Sequence, residues 1–274
     1  MNTIVAATDF TPVSLNAVHY AAELASALGM KLSILHVCGI PMSFNEVPAP
    51  TFDLVKARAE AKIDLATIKE NIEERTSGRV QVKTQVRVGE VVSEINDHCN
   101  SVQPYAVVIG AETANAFERF LFGSKTITAL RQLTWPLIIV PPDVGFSNIR
   151  KIALACDCKD VVETIPTFHI NALVKNLHAQ LHVLHIATND HEFNAPEAEE
   201  EFDWLKEILR GMRPKYHIIN GKDIEKSIAG FAEENEIDLL IIIPKKYGIL
   251  RDLLHNSHSK KLVLQTHIPL MAIH

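Results

Sequence analysis

Cysteine is scarce, with four in 274 residues. That density cannot staple a small secreted scaffold, so the chain reads as one that folds in a reducing cytoplasm. Long apolar runs are missing too. One of the longest, Leu239–Pro244, falls far short of the ~20 residues that a membrane-spanning helix needs. There is no excess of positive charge. Lysine and arginine number 27 against 33 aspartates and glutamates, a net charge of −6 with the histidines neutral. This balance favours solubility and supplies no bulk attraction to nucleic acid or anionic lipid. The opening residues, Met1 to Asp9, hold no basic stretch and reach an acid early, so no signal peptide is expected. What is present, 47% hydrophobic and 22% charged residues, is ordinary for a globular protein and excludes a disordered or fibrous chain. The length suits one large domain or two ordinary ones.

The chain repeats its punctuation. Ile4-Val5-Ala6-Ala7-Thr8-Asp9 and Ile152-Ala153-Leu154-Ala155-Cys156-Asp157 both read as a short buried strand ending in an acid. Leu32–Val37 pairs with Leu181–Ile186, Val86–Gly89 with Ile218–Gly221, Val107–Gly110 with Ile241–Pro244, and Trp135–Val140 with Ile268–Ile273. The order is the same in both halves, which is the mark of a tandem duplication. Asp9 to Asp157 spans 148 residues and Pro136 to Pro269 only 133, so the second copy is the shorter. Apolar runs alternate with amphipathic stretches, the pattern of β-α-β crossovers and a parallel sheet. Runs without alternation, such as Val107–Ile109, imply strands covered on both faces. Helical spacing is clear in Val18, Ala21, Ala22, Leu24, Ala25 and Leu28, and in Ile170, Leu173, Val174 and Leu177. Ser14 and Asp160 stand near the expected starts of the two first helices as polar caps. The join falls in Pro141–Ser147, which divides the chain into domains 1–146 and 147–274. So short a linker implies halves that pack together.

Asp9-Phe10-Thr11-Pro12-Val13-Ser14 after a strand, Leu35-His36-Val37, Val88-Gly89, Gly110, Gly123-Ser124 and Pro136–Val140 resemble the universal stress protein family, once per half. The resemblance implies an α/β fold of two tandem, open, parallel five-stranded sheets with helices on both faces. This is a Rossmann-type architecture like that of adenine-nucleotide hydrolases. It also implies an adenine nucleotide, ATP or AMP, with Mg²⁺ only as the companion of ATP and no other metal. The family motif runs from a glycine, across two residues to another, and across nine more to Gly-Ser or Gly-Thr. Gly110 and Gly123-Ser124 keep that spacing, and Thr113 replaces the middle glycine. Such glycines turn backbone N–H groups toward a phosphate through positive φ and close approach, and Gly123-Ser124 would open a helix whose N-terminus attracts it. The β-branched Thr113 resists positive φ. By resemblance, Asp9 and the neighbouring backbone face the ribose or base and Val37 lies near the base. The whole candidate set is Thr8, Asp9, Val37, Ile109, Gly110, Thr113, Gly123, Ser124 and Lys125. In the second half Pro244 replaces the first glycine, Lys245, Lys246, Tyr247 and Gly248 follow, and Asn256-Ser257 stands in place of Gly-Ser. That half reads as a degenerate copy without a phosphate cradle.

Other signals are weaker. Gly123-Ser124-Lys125-Thr126 is not a P-loop, because the lysine follows the serine and the nearest earlier glycine is Gly110. Cys156 and Cys158 bracket Asp157 without the second pair that a local metal site carries. His36 and His185 occupy equivalent strand ends and read as features of the fold, while His182 and His185 fall on opposite faces of a strand. His255 and His258 would share a helix face and leave a two-ligand metal hypothesis open. The acidic run from Glu197 to Asp203 reads as the solvated start of an amphipathic helix. No nucleophile-base pair can be located. Three functions therefore compete: a nucleotide-binding stress-response protein with its site in the first half, a nucleotide-free interaction scaffold, and a slow ATPase. The expected partners are an unidentified protein and a second copy of the chain. Within the chain, the final strands of the halves, Pro136–Val140 and Pro269–Ile273, can pair as an internal pseudo-dimer.

Overall fold

The computed structural model describes residues 2–39, 53–111, 133–142, 144–187, 196–243 and 268–273. The first half runs β1 (Thr3–Ala7), α1 (Pro12–Leu28), β2 (Lys31–Cys38), α2 (Leu54–Arg75), β3 (Val82–Val88), α3 (Val91–Val102), β4 (Ala106–Gly110) and β5 (Leu137–Val140). The second half runs β6 (Lys151–Ala155), α4 (Val161–Thr164), α5 (Thr167–Leu177), β7 (Gln180–Ala187), α6 (Pro196–Leu209), a 3₁₀ turn at Arg210–Met212, β8 (Lys215–Asn220), α7 (Ile224–Glu234), β9 (Leu239–Ile242) and β10 (Leu270–Ala272).

The strands form one ten-stranded sheet in the order β3-β2-β1-β4-β5-β10-β9-β6-β7-β8. Within each half every pairing is parallel. The seam between β5 and β10 is antiparallel, with Leu270 opposite Ile139 and Ala272 opposite Leu137. The expected five-stranded sheets are thus fused edge to edge through their final strands. Fusion removes one open edge from each half, and an open edge is a template for unwanted strand pairing.

Alternation along the strands sorts residues between two cores. Ile4, Ala6, Ile152 and Leu154 face α1, α2, α5 and α6, whereas Val5, Ala153 and Ala155 face α3 and α7. Both faces of the inner strands are covered, which is why β4, β5, β9 and β10 carry no polar side, whereas the edge strands β3 and β8 keep exposed polar residues. Each core contains residues from both halves. The linker is held down as well. The Asn16 side-chain amide donates to the carbonyls of Pro141 (3.2 Å) and Val144 (3.1 Å), and Phe146 meets Tyr20 edge to face at 5.3 Å.

The cap expectations need correcting. α1 starts at Pro12, and its cap is Thr11, whose Oγ1 accepts from the N–H of Ser14. Ser14 sits one turn inside, buried. Asp160 precedes α4 in a left-handed conformation (φ 48°) and makes no side-chain cap bond. Glu201 on α6 supplies the cap instead, accepting from the N–H of Val161 at 2.9 Å. One member of the acidic run is therefore a tertiary cap and not simply a solvated charge. The long first helix of this half, α5, begins later, after Pro166.

Candidate functional site

In each half the first strand lies between the second and fourth in the sheet. The chain winds one way from β1 through β2 to β3 and then crosses back to β4. Ligands of open α/β sheets bind at the carboxyl ends of strands where the winding reverses. In the first half the reversal lies between β1 and β4; Thr8 and Asp9 follow the end of β1, Val37 stands near the end of β2, and Ile109 and Gly110 end β4. Thr113, Gly123, Ser124 and Lys125 lie outside the described residues. So do Pro244, Lys245, Lys246, Tyr247, Gly248, Asn256 and Ser257, together with the His255–His258 pair.

The β1–α1 loop is built on hydroxyls. Thr8 is buried, and its Oγ1 lies 2.9 Å from Ser14 Oγ and accepts from the N–H of Phe10 at 3.0 Å. Asp9 is exposed, and its Oδ1 accepts from the Thr11 hydroxyl (2.6 Å) and the Thr11 N–H (3.1 Å). Burial, the largest influence on Asp9, pushes its carboxyl up; the hydrogen bonds from Thr11 and Ser14 together outweigh it, and the group lies below the ordinary carboxylate value. Phe10 takes a left-handed φ of 66°, rare for an aromatic residue and a local cost that the surroundings must offset. Its ring stacks on His36 at 4.4 Å. His36 Nδ1 in turn donates to the carbonyl of Thr8 at 2.8 Å, which ties the end of β2 to the end of β1. Val37 is half-buried at the end of β2 and packs on the core beneath α3. Ile109 is buried.

Gly110 is required for a different reason from the one its motif position implies. Its φ is not in the left-handed region. A Cβ there would lie 2.6 Å from the Val13 carbonyl oxygen. The glycine lets the start of α1 approach β4, so close packing and not a freed N–H requires it.

The second half repeats this loop with other atoms. Cys156 Sγ accepts from the N–H of Cys158 at 3.2 Å, Asp157 Oδ1 accepts from the N–H of Lys159 at 3.3 Å, and Cys158 is left-handed at φ 52°. His185 Nδ1 donates to the Cys156 carbonyl at 3.0 Å, as His36 does to Thr8. Asp157 is buried where Asp9 is exposed. Beside it opens a small cleft of about 20 Å³, walled by Ala155, Leu184, Ile186, Ile224 and Ile228 with Cys156 and Asp157 at one side. Sequence reading passed over this cleft. The pairing of Asp9 with Asp157 and of Val37 with Ile186 marks its place, but α7 closes its wall. Among the described residues no cluster of three metal-ligating side chains occurs.

Comparison with known proteins gives a consistent result. The sequence profile of the universal stress protein family matches residues 1–141. A universal stress protein of Synechocystis sp. is 24% identical over 294 residues, covering 99% of both chains. The crystal structure of a universal stress protein from Archaeoglobus fulgidus is similar over 99% of this chain and 96% of its own, with 16% identity and a TM-score of 0.73. The cytoplasmic domain of a prokaryotic cation chloride cotransporter matches 99% of this chain and 94% of its own, with 14% identity and a TM-score of 0.54. At such identities the structures share the fold alone.

Proposed function

The chain belongs to the universal stress protein family, and from that premise we propose that it is a stress-response protein binding an adenine nucleotide, ATP or AMP, in its first half. The observation that supports this reading is that Asp9 follows β1 and Gly110 ends β4, the two strands that flank the winding reversal, with Val37 near the end of the adjacent β2. Asp9 is a carboxylate held ionised by its hydrogen bonds, suited to accept from ribose hydroxyls. Val37 offers the apolar surface that a base needs. Gly123 and Ser124, with Lys125 beside them, supply the phosphate end in this proposal, with Mg²⁺ entering only alongside ATP. The two domains, 1–146 and 147–274, act as an internal pseudo-dimer, and nucleotide occupancy biases a surface read by a protein partner or a second copy. Among the described residues no helix is long and apolar enough to cross a membrane, and the proposal places the protein in the cytoplasm.

A calorimetric titration with ATP tests this on the parent, Asp9→Ala and Gly123→Val. We expect about one site per chain and at least roughly tenfold weaker binding in each variant, the scale of one lost charged hydrogen bond or one blocked backbone approach. No saturable binding up to millimolar ATP would sink the proposal. That outcome favours the second reading, a nucleotide-free scaffold, which the packing of Gly110 against Val13 and the presence of Thr113 support.

A further inference from the structure

In the C-terminal half two imidazoles share a hydrogen bond in the layer between the sheet and α7. His182 Nδ1 on β7 and His217 Nε2 on β8 lie 3.1 Å apart, with the ring planes parallel to within 2°. His182 is 4% exposed, and its Nε2 is buried with no hydrogen-bond partner among the described residues. Phe231 of α7 lies against both rings, 4.7 Å from the centre of His217 and 6.2 Å from that of His182. The first half fills the same layer differently. Ser33 is the counterpart of His182, since they pair with Lys83 and Lys215 respectively, and Gln85 is the counterpart of His217. The counterpart of Phe231, counted from the helix caps Glu90 and Asp223, is His98. There His98 Nε2 meets Ser33 Oγ at 2.9 Å. In the second copy the imidazole has moved from helix to strand, and a second one has joined it from the edge strand.

We propose that the His182–His217 pair is an acid-sensitive latch that fastens α7 and edge strand β8 to the C-terminal half and releases them when the pair takes up protons. A hydrogen bond between two imidazoles needs one N–H and one lone pair, and two imidazolium rings present only N–H groups to each other. Uptake of a single proton already leaves a cation in a buried layer. The charged groups facing the pair are themselves cationic: Lys215 on β8 and Lys151 on β6. The Lys151 Nζ is shared with Glu236 at 3.0 Å. The α7 side presents the Phe231 ring. Burial first, then His217, Lys215 and Lys151, hold His182 below the ordinary imidazole value of 6.5, and burial and Lys215 do the same to His217. The unfolded or opened segment therefore protonates before the closed one. The latch is at full strength above 6.5 and weakens as pH falls from there toward the depressed values of the closed state.

The consequence reaches the cleft. Ile224, Ile228 and Phe231 occupy one face of α7 by their spacing, and the two isoleucines wall the space beside Asp157. Freeing Phe231 loosens that wall.

Amide hydrogen exchange on the full chain tests the latch at about pH 7.5 and about pH 5.5, with rates corrected for intrinsic exchange. Peptides covering β8 and α7 are expected to lose protection roughly tenfold or more at the lower pH while β6 peptides hold theirs. The double variant His182→Ser, His217→Gln installs the side chains of the first half and is expected to show no such acid loss. Equal protection of β8 and α7 at both pH values in the parent, or the same loss in the variant, overturns the proposal. A side-chain NMR titration of the parent gives a reading that requires no variant. His182 and His217 are expected to titrate as a coupled pair below the exposed histidines, and independent titration in the ordinary range overturns the latch equally.

Discussion

At Gly110 a missing side chain decides the packing of two elements. Substitution by alanine places a Cβ 2.6 Å from the Val13 carbonyl oxygen, and backbone cannot swing aside as a flexible side chain can. We expect Gly110→Ala to destabilise the protein by about 1–3 kcal/mol, the range for overpacking, seen as a lower urea midpoint at unchanged slope. Thr11 has two tasks, capping α1 and bonding Asp9. Thr11→Ala should cost about 1 kcal/mol of stability and move the Asp9 titration, followed by carboxyl NMR, upward. The sign follows from linkage. The folded Asp9 carboxyl lies below its ordinary value of 3.8, so its contribution is present above 3.8 and lost as pH falls through the folded value, and the variant shrinks that contribution. The choice between Thr11 and Ser14 as cap was not legible in Thr11-Pro12-Val13-Ser14. Both hydroxyls qualify, and only the point where β1 releases the chain decides which is outside the helix.

Among the elements, the strands were the most legible. Val107–Ile109 and Leu239–Ile242 are apolar throughout because helices cover both faces. The helices α1 and α5 follow the apolar spacing with Ile170, Leu173 and Val174 buried. The start of the second half was less so. Asp160 offers the expected residue type, but its left-handed backbone turns the side chain away from capping, and Glu201 from α6 takes the position. Forty residues separate Glu201 from Val161, too far for a local rule to connect them. Glu201→Ala should destabilise by about 1 kcal/mol and accelerate exchange of the Val161 amide specifically. An unchanged Val161 amide would show that water caps α4 equally well.

For the whole molecule, the sheet and both cores cross from one half to the other. Val5 and Ala272 belong to one core, and Ile4 and Met271 to the other. Neither half can unfold without exposing apolar surface of its partner and an edge at the β5–β10 seam. We therefore expect one cooperative thermal transition, with the calorimetric enthalpy equal to the van't Hoff enthalpy. Two resolved transitions would show the halves to be energetically separate. The pinning of the linker by Asn16 and Phe146 argues in the same direction.

The sequence by itself determined the duplication, the parallel α/β halves, the acids at the strand ends and the matched histidines His36 and His185. These are carried by local runs and by spacing, which survive in one dimension. The tertiary structure decided what contacts between distant elements decide. It made the two sheets one, gave Gly110 a packing role, and placed Glu201 over α4. It also opened a cleft beside Asp157 and brought His182 to His217. Each of these joins residues whose separation along the chain carries no period, so the partner becomes identifiable only when the strands take their order in the sheet.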